Sequence, residues 1–320
     1  MTTKQSAIHG GFDSIRKINL TACPICGNET YGVLVNGKDF EFHTGEYKVQ
    51  RCNSCHVSYT NPAINEREIY KFYEDRNTPD FPNSTGIIHI LRQWYLARNA
   101  RNILANLPIS KPIRIMDYGC GDGAYSLALS TINEYKVVAV DFHPSPPPLL
   151  ANSIKEASNI EYKSYQSLNE LEIFDVIFCR QVLEHIPNPR QLLSQLHNFL
   201  SISGFLIIEV PNIDSFWRKL LGKYYYTLYL PQHFYHFNAS SLAHLVENEG
   251  FTVRKINKLH TPILPKSIQY LTGIKSENIG FIGLLTFPLT IVMDVFFSES
   301  TTLSIICQRN LLNNFHPNSD

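Results

Sequence analysis

Four cysteines stand as two Cys-x-x-Cys turns, Cys23 with Cys26 and Cys52 with Cys55, in a chain of 320 residues with seven cysteines in all. Each turn can aim its backbone N–H groups at sulfur and lower the thiol pKa. Two such turns bring four thiolates to one tetrahedral ion and leave no open coordination position, so the predicted ion is structural Zn2+. The other reading is four free thiols in a small fold, but a unit of this size without metal could barely bury a core. A second group of residues is the run Ile113-Arg-Ile-Met-Asp117-Tyr118-Gly119-Cys120-Gly121-Asp-Gly123. A third comprises His185, His233 and His236, whose imidazoles suit proton transfer near neutral pH.

The glycine run demands a buried strand, a tight turn and a helix in succession. Glycines let the backbone bend sharply and let a ligand come close to it. The helix start offers unpaired N–H groups and partial positive charge. Asp141 ends the next predicted strand, where its carboxylate can accept hydrogen bonds from both ribose hydroxyls of a nucleoside. Three readings fit these residues: a turn without ligand, a nicotinamide dinucleotide site on Gly119-x-Gly121-x-x-Ala124, or an S-adenosyl-L-methionine (SAM) site.

Resemblance along the chain favours the last. Asp117-x-Gly119-x-Gly121-x-Gly123 resembles the first motif of the class I SAM-dependent methyltransferases. Phe174-Asp-Val-Ile-Phe-Cys-Arg180, running on to Glu-His185-Ile-Pro-Asn-Pro, resembles their fourth strand and the turn after it. Gly204 to Asn212 resembles the fifth strand, and Pro231 to Phe251 resembles the approach to the sixth. The resemblance implies a seven-stranded α/β sheet with helices on both faces. It implies cofactor contacts from Asp117, Tyr118, Gly119, Cys120, Gly121 and Gly123, with Asp117 orienting the methionine end. Asp141 then holds the ribose, and Arg180 lies close to the cofactor. Where the family usually carries an acid near adenine, this chain has Gln166, whose amide oxygen could substitute.

Methyl transfer from a sulfonium proceeds by in-line attack, and holding the reactants close supplies much of the rate. An acceptor hydroxyl also needs a base. The resemblance places three histidines on the substrate face, where ligands bind over the carboxyl ends of the strands. His233 is the first candidate, with His236 and His185 behind it. The competing reading is that these histidines only pack within a lid. Tyr224, Tyr225, Tyr226 and Tyr229 could stack on a sugar ring or fill the same lid, and Glu209 is a further candidate to bind the acceptor.

A four-cysteine unit ahead of a SAM domain also resembles bacterial sugar methyltransferases that act on nucleotide-linked or lipid-linked sugars. Some carry a second Rossmann-like domain that this sequence does not reach, a departure from the sugar C-methylating members. The expected acceptor is therefore a small molecule of glycan type on a nucleotide or lipid carrier. An rRNA or tRNA methyltransferase is the alternative, followed by an NAD-binding dehydrogenase or a SAM-binding module without activity. Charge weighs against nucleic acid. Lys and Arg together number 28, as do Asp and Glu, and residues 21–62 carry three bases (Lys38, Lys48, Arg51) against four acids (Glu29, Asp39, Glu41, Glu46).

The elements that must position these groups are legible from pattern. Residues 1–20 read as a polar lead-in, 21–62 as the zinc-binding unit, 63–110 as a helical connector and 111–310 as the methyltransferase domain. An insertion spans 259–300 and a tail spans 311–320. Helices are expected at Ile64–Tyr73 and Ile87–Leu107. Apolar strands alternating with helices from Ile113 onward predict a parallel sheet covered on both faces. Cys179 and Cys307 read as core. Cysteine usage and a polar start predict a cytoplasmic, reducing setting. Ile279–Phe297 is apolar enough to raise a membrane span, but Pro288 and Asp294 interrupt it and the next strand must return to the sheet. The expectation is a buried helical insertion, a dimer contact, or a surface resting on the membrane, although Lys266, Lys275 and Arg254 nearby are too few to establish attraction to anionic lipid.

Overall fold

The computed structural model describes residues 15–69, 71–74, 87–109, 113–132, 135–169, 171–274 and 279–310. The expected lead-in lies mostly outside these residues, as do Lys275 and the tail.

The N-terminal part is an antiparallel sheet built around the cysteine turns. Strand β1 (Lys17–Ile18) pairs with β5 (Ala63–Ile64), while β2 (Tyr31–Lys38), β3 (Glu46–Cys52) and β4 (Ser58–Asn61) form a meander. The helix expected at Ile64–Tyr73 is broken. Ile64 belongs to β5, and the Asn65 side chain accepts from Arg67 N to start a short 3-10 turn at Glu66–Glu68. Among the described residues there, only Lys71–Glu74 (α1) is α-helical. Helix α2 (Ile87–Ala105) forms where expected, but only its second half is amphipathic: Ala97, Ile103 and Leu104 are buried, whereas Ile90, Leu91, Trp94 and Tyr95 are exposed.

The larger part alternates β6 (Ile113–Tyr118), α3 (Ala124–Ser130), β7 (Tyr135–Asp141), α4 (Pro148–Glu156), β8 (Ile160–Ser164), β9 (Phe174–Arg180), α5 (Pro189–Phe199) and β10 (Leu200–Pro211). Then come α6 (Phe216–Leu221), β11 (Tyr235–His236), α7 (Ala239–Asn248), β12 (Phe251–Leu259), α8 (Leu264–Thr272), α9 (Ile279–Phe296) and β13 (Thr302–Arg309). The seven-stranded sheet has the order β12-β13-β10-β9-β6-β7-β8. Strands β6 to β10 are parallel neighbours, and Val176 through Cys179 are fully buried because helices cover both faces. The sheet is nonetheless mixed. β13 runs antiparallel to both β10 and β12, which the apolar pattern does not reveal. Cys179 and Cys307 are core residues.

The chain reversal at β11 joins the two parts. Tyr235 pairs with Tyr59 and His236 with Ser58, so a segment of the larger part becomes the fourth strand of the N-terminal sheet.

Candidate active site

The four sulfurs are assembled. Cys23 Sγ lies 3.6 Å from Cys55 Sγ and Cys26 Sγ lies 3.5 Å from Cys52 Sγ, with all four within 4.8 Å of one another. That is too far for a disulfide and close to the roughly 3.8 Å edge of a tetrahedron with Zn–S bonds of about 2.3 Å. Two similar knuckles make this possible: Cys23 N–H donates to Asn28 O (2.8 Å), and Cys52 N–H donates to Val57 O (3.0 Å). The donor set fits Zn2+ with no position left for substrate.

The glycine turn sits at the carboxyl end of β6. Its three glycines are not equivalent. A Cβ on Gly119 would lie 2.3 Å from Val182 Cγ2, and one on Gly123 would lie 2.3 Å from Leu150 Cγ. These two are bare because protein packs on them. Gly121 has left-handed backbone (φ 55°), yet nothing stands within 4 Å of its Cβ position. The space above it is open, as a ligand cradle requires. Its N–H donates to Asp141 Oδ2 (2.8 Å), and Phe142 N–H donates to Oδ1 (2.8 Å). These bonds fix the carboxylate while leaving lone pairs for two ribose hydroxyls. Burial raises the Asp141 pKa.

Asp117 is buried at the strand tip and accepts from Ser126 Oγ (2.5 Å). Desolvation pushes its carboxyl up to about 6, against the pull of Arg180. A cofactor ammonium would favour its charged form. Arg180 is already held: its Nε donates to Glu209 Oε2 (2.6 Å), and its guanidinium lies 3.8 Å from the Tyr125 ring centroid. Gln166 lies exposed in the 3-10 turn after β8, and the Tyr118 and Tyr165 rings stack at 4.7 Å beside it in sequence. These residues are the candidates to hold SAM, which when bound supplies an electrophilic methyl group.

The histidines converge from separate elements. His185 ends the 3-10 turn Leu183–His185 after β9, and its Nδ1 lies 2.9 Å from Tyr73 Oη and 3.2 Å from Gln232 O. His233 Nδ1 lies 2.8 Å from Thr227 O. A carbonyl only accepts, so Nδ1 carries the proton and, in the neutral ring, Nε2 carries the lone pair. The two rings meet edge to face at 4.4 Å. Glu184 joins them: one carboxylate oxygen and one ring nitrogen of each histidine lie within 4.8 Å of one another. Such a set can share a proton or hold a divalent ion. Glu184 is buried, neither of its oxygens has a hydrogen-bond partner among the described residues, and desolvation pushes it up to about 8. His236 stands apart. It is fully enclosed, its Nε2 lies 2.9 Å from Thr60 Oγ1, and burial lowers it to about 3. That makes it a poor proton acceptor at neutral pH.

The N-terminal sheet roofs this cluster. Thr60 N–H donates to Phe234 O (2.9 Å) and its hydroxyl donates to His233 O (2.6 Å). Arg51 pairs with Asp214 (2.6 Å), Tyr270 Oη donates to Glu41 Oε1 (2.7 Å), and Phe40 stacks on Tyr270 (4.6 Å). Tyr225 is buried, Tyr224 and Tyr226 are half-buried, and Tyr229 is held in the left-handed region (φ 42°), a strained state for an aromatic residue. Tyr73, Glu184 and Thr60 were not singled out from sequence. Glu184 directly precedes a chosen histidine, but Thr60 and Tyr73 carry no local signal.

The strand order, with a glycine turn at its switch point, is that of a class I SAM-dependent methyltransferase. The family model described as a methyltransferase domain matches residues 91–256, and the chain belongs to that family. It is 25% identical over 188 residues to a ubiquinone biosynthesis O-methyltransferase of Glaesserella parasuis, covering 54% of this chain and 78% of that one. It is 26% identical over 153 residues to the protein of that name from Rickettsia prowazekii, covering 47% and 61%. Among solved structures, a SAM-dependent methyltransferase from Archaeoglobus fulgidus aligns with a TM-score of 0.43 at 19% identity, over 68% of this chain and 94% of that one. The nicotinamide reading of the glycines falls with the family assignment.

Proposed function

We propose that the chain methylates a hydroxyl of a small-molecule acceptor, a sugar on a nucleotide or lipid carrier, with His233 as the base. The carrying observation is the His233–His185–Glu184 cluster, which the N-terminal sheet roofs and whose turn packs Val182 onto Gly119. His233 Nε2 takes the acceptor proton while Thr227 O holds Nδ1–H and so fixes the ring. His185 packs edge to face against the His233 ring at 4.4 Å and holds it in place. Cofactor contacts come from Asp117 through Gly123 and from Asp141, with Gln166 and Arg180 at the margin. The names of the relatives support oxygen as the methylated atom.

The zinc-bound unit acts as the acceptor-side wall rather than as a nucleic-acid grip, consistent with its local negative charge. A lipid carrier would bring this cytoplasmic enzyme to a membrane surface, with residues 279–297 as the contact. The test is incubation with methyl-labelled SAM and fractionated cell extract. Label is expected in the sugar-nucleotide or lipid fraction; label confined to RNA or protein overturns the acceptor class. RNA methylation would also show a steep salt dependence of binding.

A further inference from the structure

Helix α9 is inside out. Phe281, Leu284, Leu285, Leu289, Val292 and Phe296 are between 52% and 77% exposed. They recur at three- and four-residue spacing, so they form one stripe. Every exposed position from 281 to 296 is apolar. The polar groups point the other way. Thr290 and Asp294 are fully buried; Asp294 Oδ2 lies 2.8 Å from His260 Nδ1, and the Thr290 hydroxyl donates back to Thr286 O. Helix α8 repeats the arrangement: Ile268 and Leu271 face out, while Ser267 Oγ accepts from Tyr226 N and Tyr270 reaches Glu41. A helix of a water-soluble surface has the opposite polarity.

We infer that the α8–α9 hairpin lies in the surface of a phospholipid bilayer. The acceptor part of this inference rests on the proposed function and chooses its lipid carrier. Two observations favour lipid over a protein partner. A protein interface has a polar rim around its apolar centre, whereas α9 is about 27 Å long at 1.5 Å per residue and exposes no charge over 281–296. Charge also complements an anionic headgroup. A cleft lined by Lys38, Phe40, Lys223, Tyr229 and Tyr270 opens on the inner side of α8. Lys38 and Lys223 have no carboxylate partner among the described residues; each ammonium lies over an aromatic ring, Phe40 and Tyr224. An apolar outer face with Lys38 and Lys223 beside it suits an anionic membrane surface. The helix does not cross it. β13 returns directly to the sheet, Asp294 is anchored inside, and among the described residues no helix is long and apolar enough to span. The geometry is that of an interfacial helix with one face in the acyl boundary.

The test is flotation with vesicles of phosphatidylcholine and phosphatidylglycerol, using wild type and the double variant Leu285→Glu, Val292→Glu. Wild type is expected to float, and the double variant to partition at least tenfold less. Both should show the same thermal shift with S-adenosylhomocysteine, which certifies the fold. Wild type that stays in solution overturns the inference, as does a double variant that floats equally well. A wild-type dimer in light scattering that the double variant dissolves assigns the face to a second copy and also overturns it. Failure to float with intact S-adenosylhomocysteine binding leaves the methyltransferase reading standing. Flotation without that binding sinks the methyltransferase reading alone.

Discussion

The cofactor side and the acceptor side of this site are built in different ways. The cofactor side is local: one strand, one glycine turn and the tip of the neighbouring strand supply Asp117 through Gly123 and Asp141. The acceptor side draws Thr60 and Tyr73 from the N-terminal part, Glu184 and His185 from the turn after β9, and His233 from the segment that becomes β11. A side held by contiguous backbone tolerates loss of its neighbours. A side assembled across two parts depends on the contact between them. The two should therefore be separable by mutation.

The largest separation is expected from Cys52→Ser. Structural zinc contributes on the order of 10 kcal/mol to folding of small units, so losing one thiolate should release the metal and unfold the roof. Methyl transfer to the acceptor should fall to background. Binding of S-adenosylhomocysteine, followed by calorimetry, should persist, because among the described residues no hydrogen bond or ion pair joins the glycine turn to the cysteine unit. Loss of both together would show that the sides are one cooperative unit.

Next in size is His233→Ala. Removing a general base costs about 10²–10⁴ in rate. The loss should appear in kcat with labelled SAM, while cofactor affinity changes less than about twofold. His236→Ala should behave differently. Its ring is a neutral strut between Thr60 and the core, so its removal should lower thermal stability and leave the pH profile of kcat unchanged. A pH profile that shifts with His236→Ala would move the base to that residue.

The same contrast governs what the sequence discloses. The local structure of the proposed cofactor side is legible because it follows chain order: an apolar strand, then bare glycines, then an acid at the end of the next strand. The seven-strand domain was legible for the same reason, since the apolar runs of β6, β7, β9 and β10 are buried between helices. The direction of β13 was not, because an apolar strand buried on both faces has the same composition in either direction. The roof was not legible either. A two-residue strand such as β11 leaves no period to detect, and Thr60 looks like any polar residue of a short strand. Asn65 broke a helix that apolar spacing alone favoured, since its side chain captured Arg67 N and began a new turn. The histidines were found by type. Glu184 gained meaning only when burial left its carboxyl without a partner.

Within the cofactor side, the three glycines should split. Gly123→Ala places a methyl group against Leu150 in addition to left-handed strain, and should lower the melting temperature by several degrees, for a cost of about 2–3 kcal/mol. Gly121→Ala meets no protein atom, so its stability cost is confined to backbone strain of roughly 1 kcal/mol. The methyl group would instead occupy the ligand's space, weakening S-adenosylhomocysteine about tenfold or more. Equal loss of affinity in both variants, with equal melting temperatures, would remove the distinction between packing and cradle.

The smallest effect is a pH dependence confined to the cofactor side. Burial raises the Asp117 carboxyl to about 6 from an ordinary value near 4. A raised carboxyl binds its proton more tightly when folded. The ionised form therefore costs stability above pH 6, and that cost is relieved as pH falls through 6 towards 4. Cofactor binding has the opposite sign, because the positively charged amino group needs the ionised form. S-adenosylhomocysteine affinity should be flat above pH 7 and fall as pH drops through 6, approaching tenfold per unit below it. Asp117→Asn should bind weakly at every pH and lose this dependence, while His233→Ala should keep it. A fall that disappears with His233→Ala and survives Asp117→Asn would mean that the acceptor side, rather than the strand tip, senses the proton.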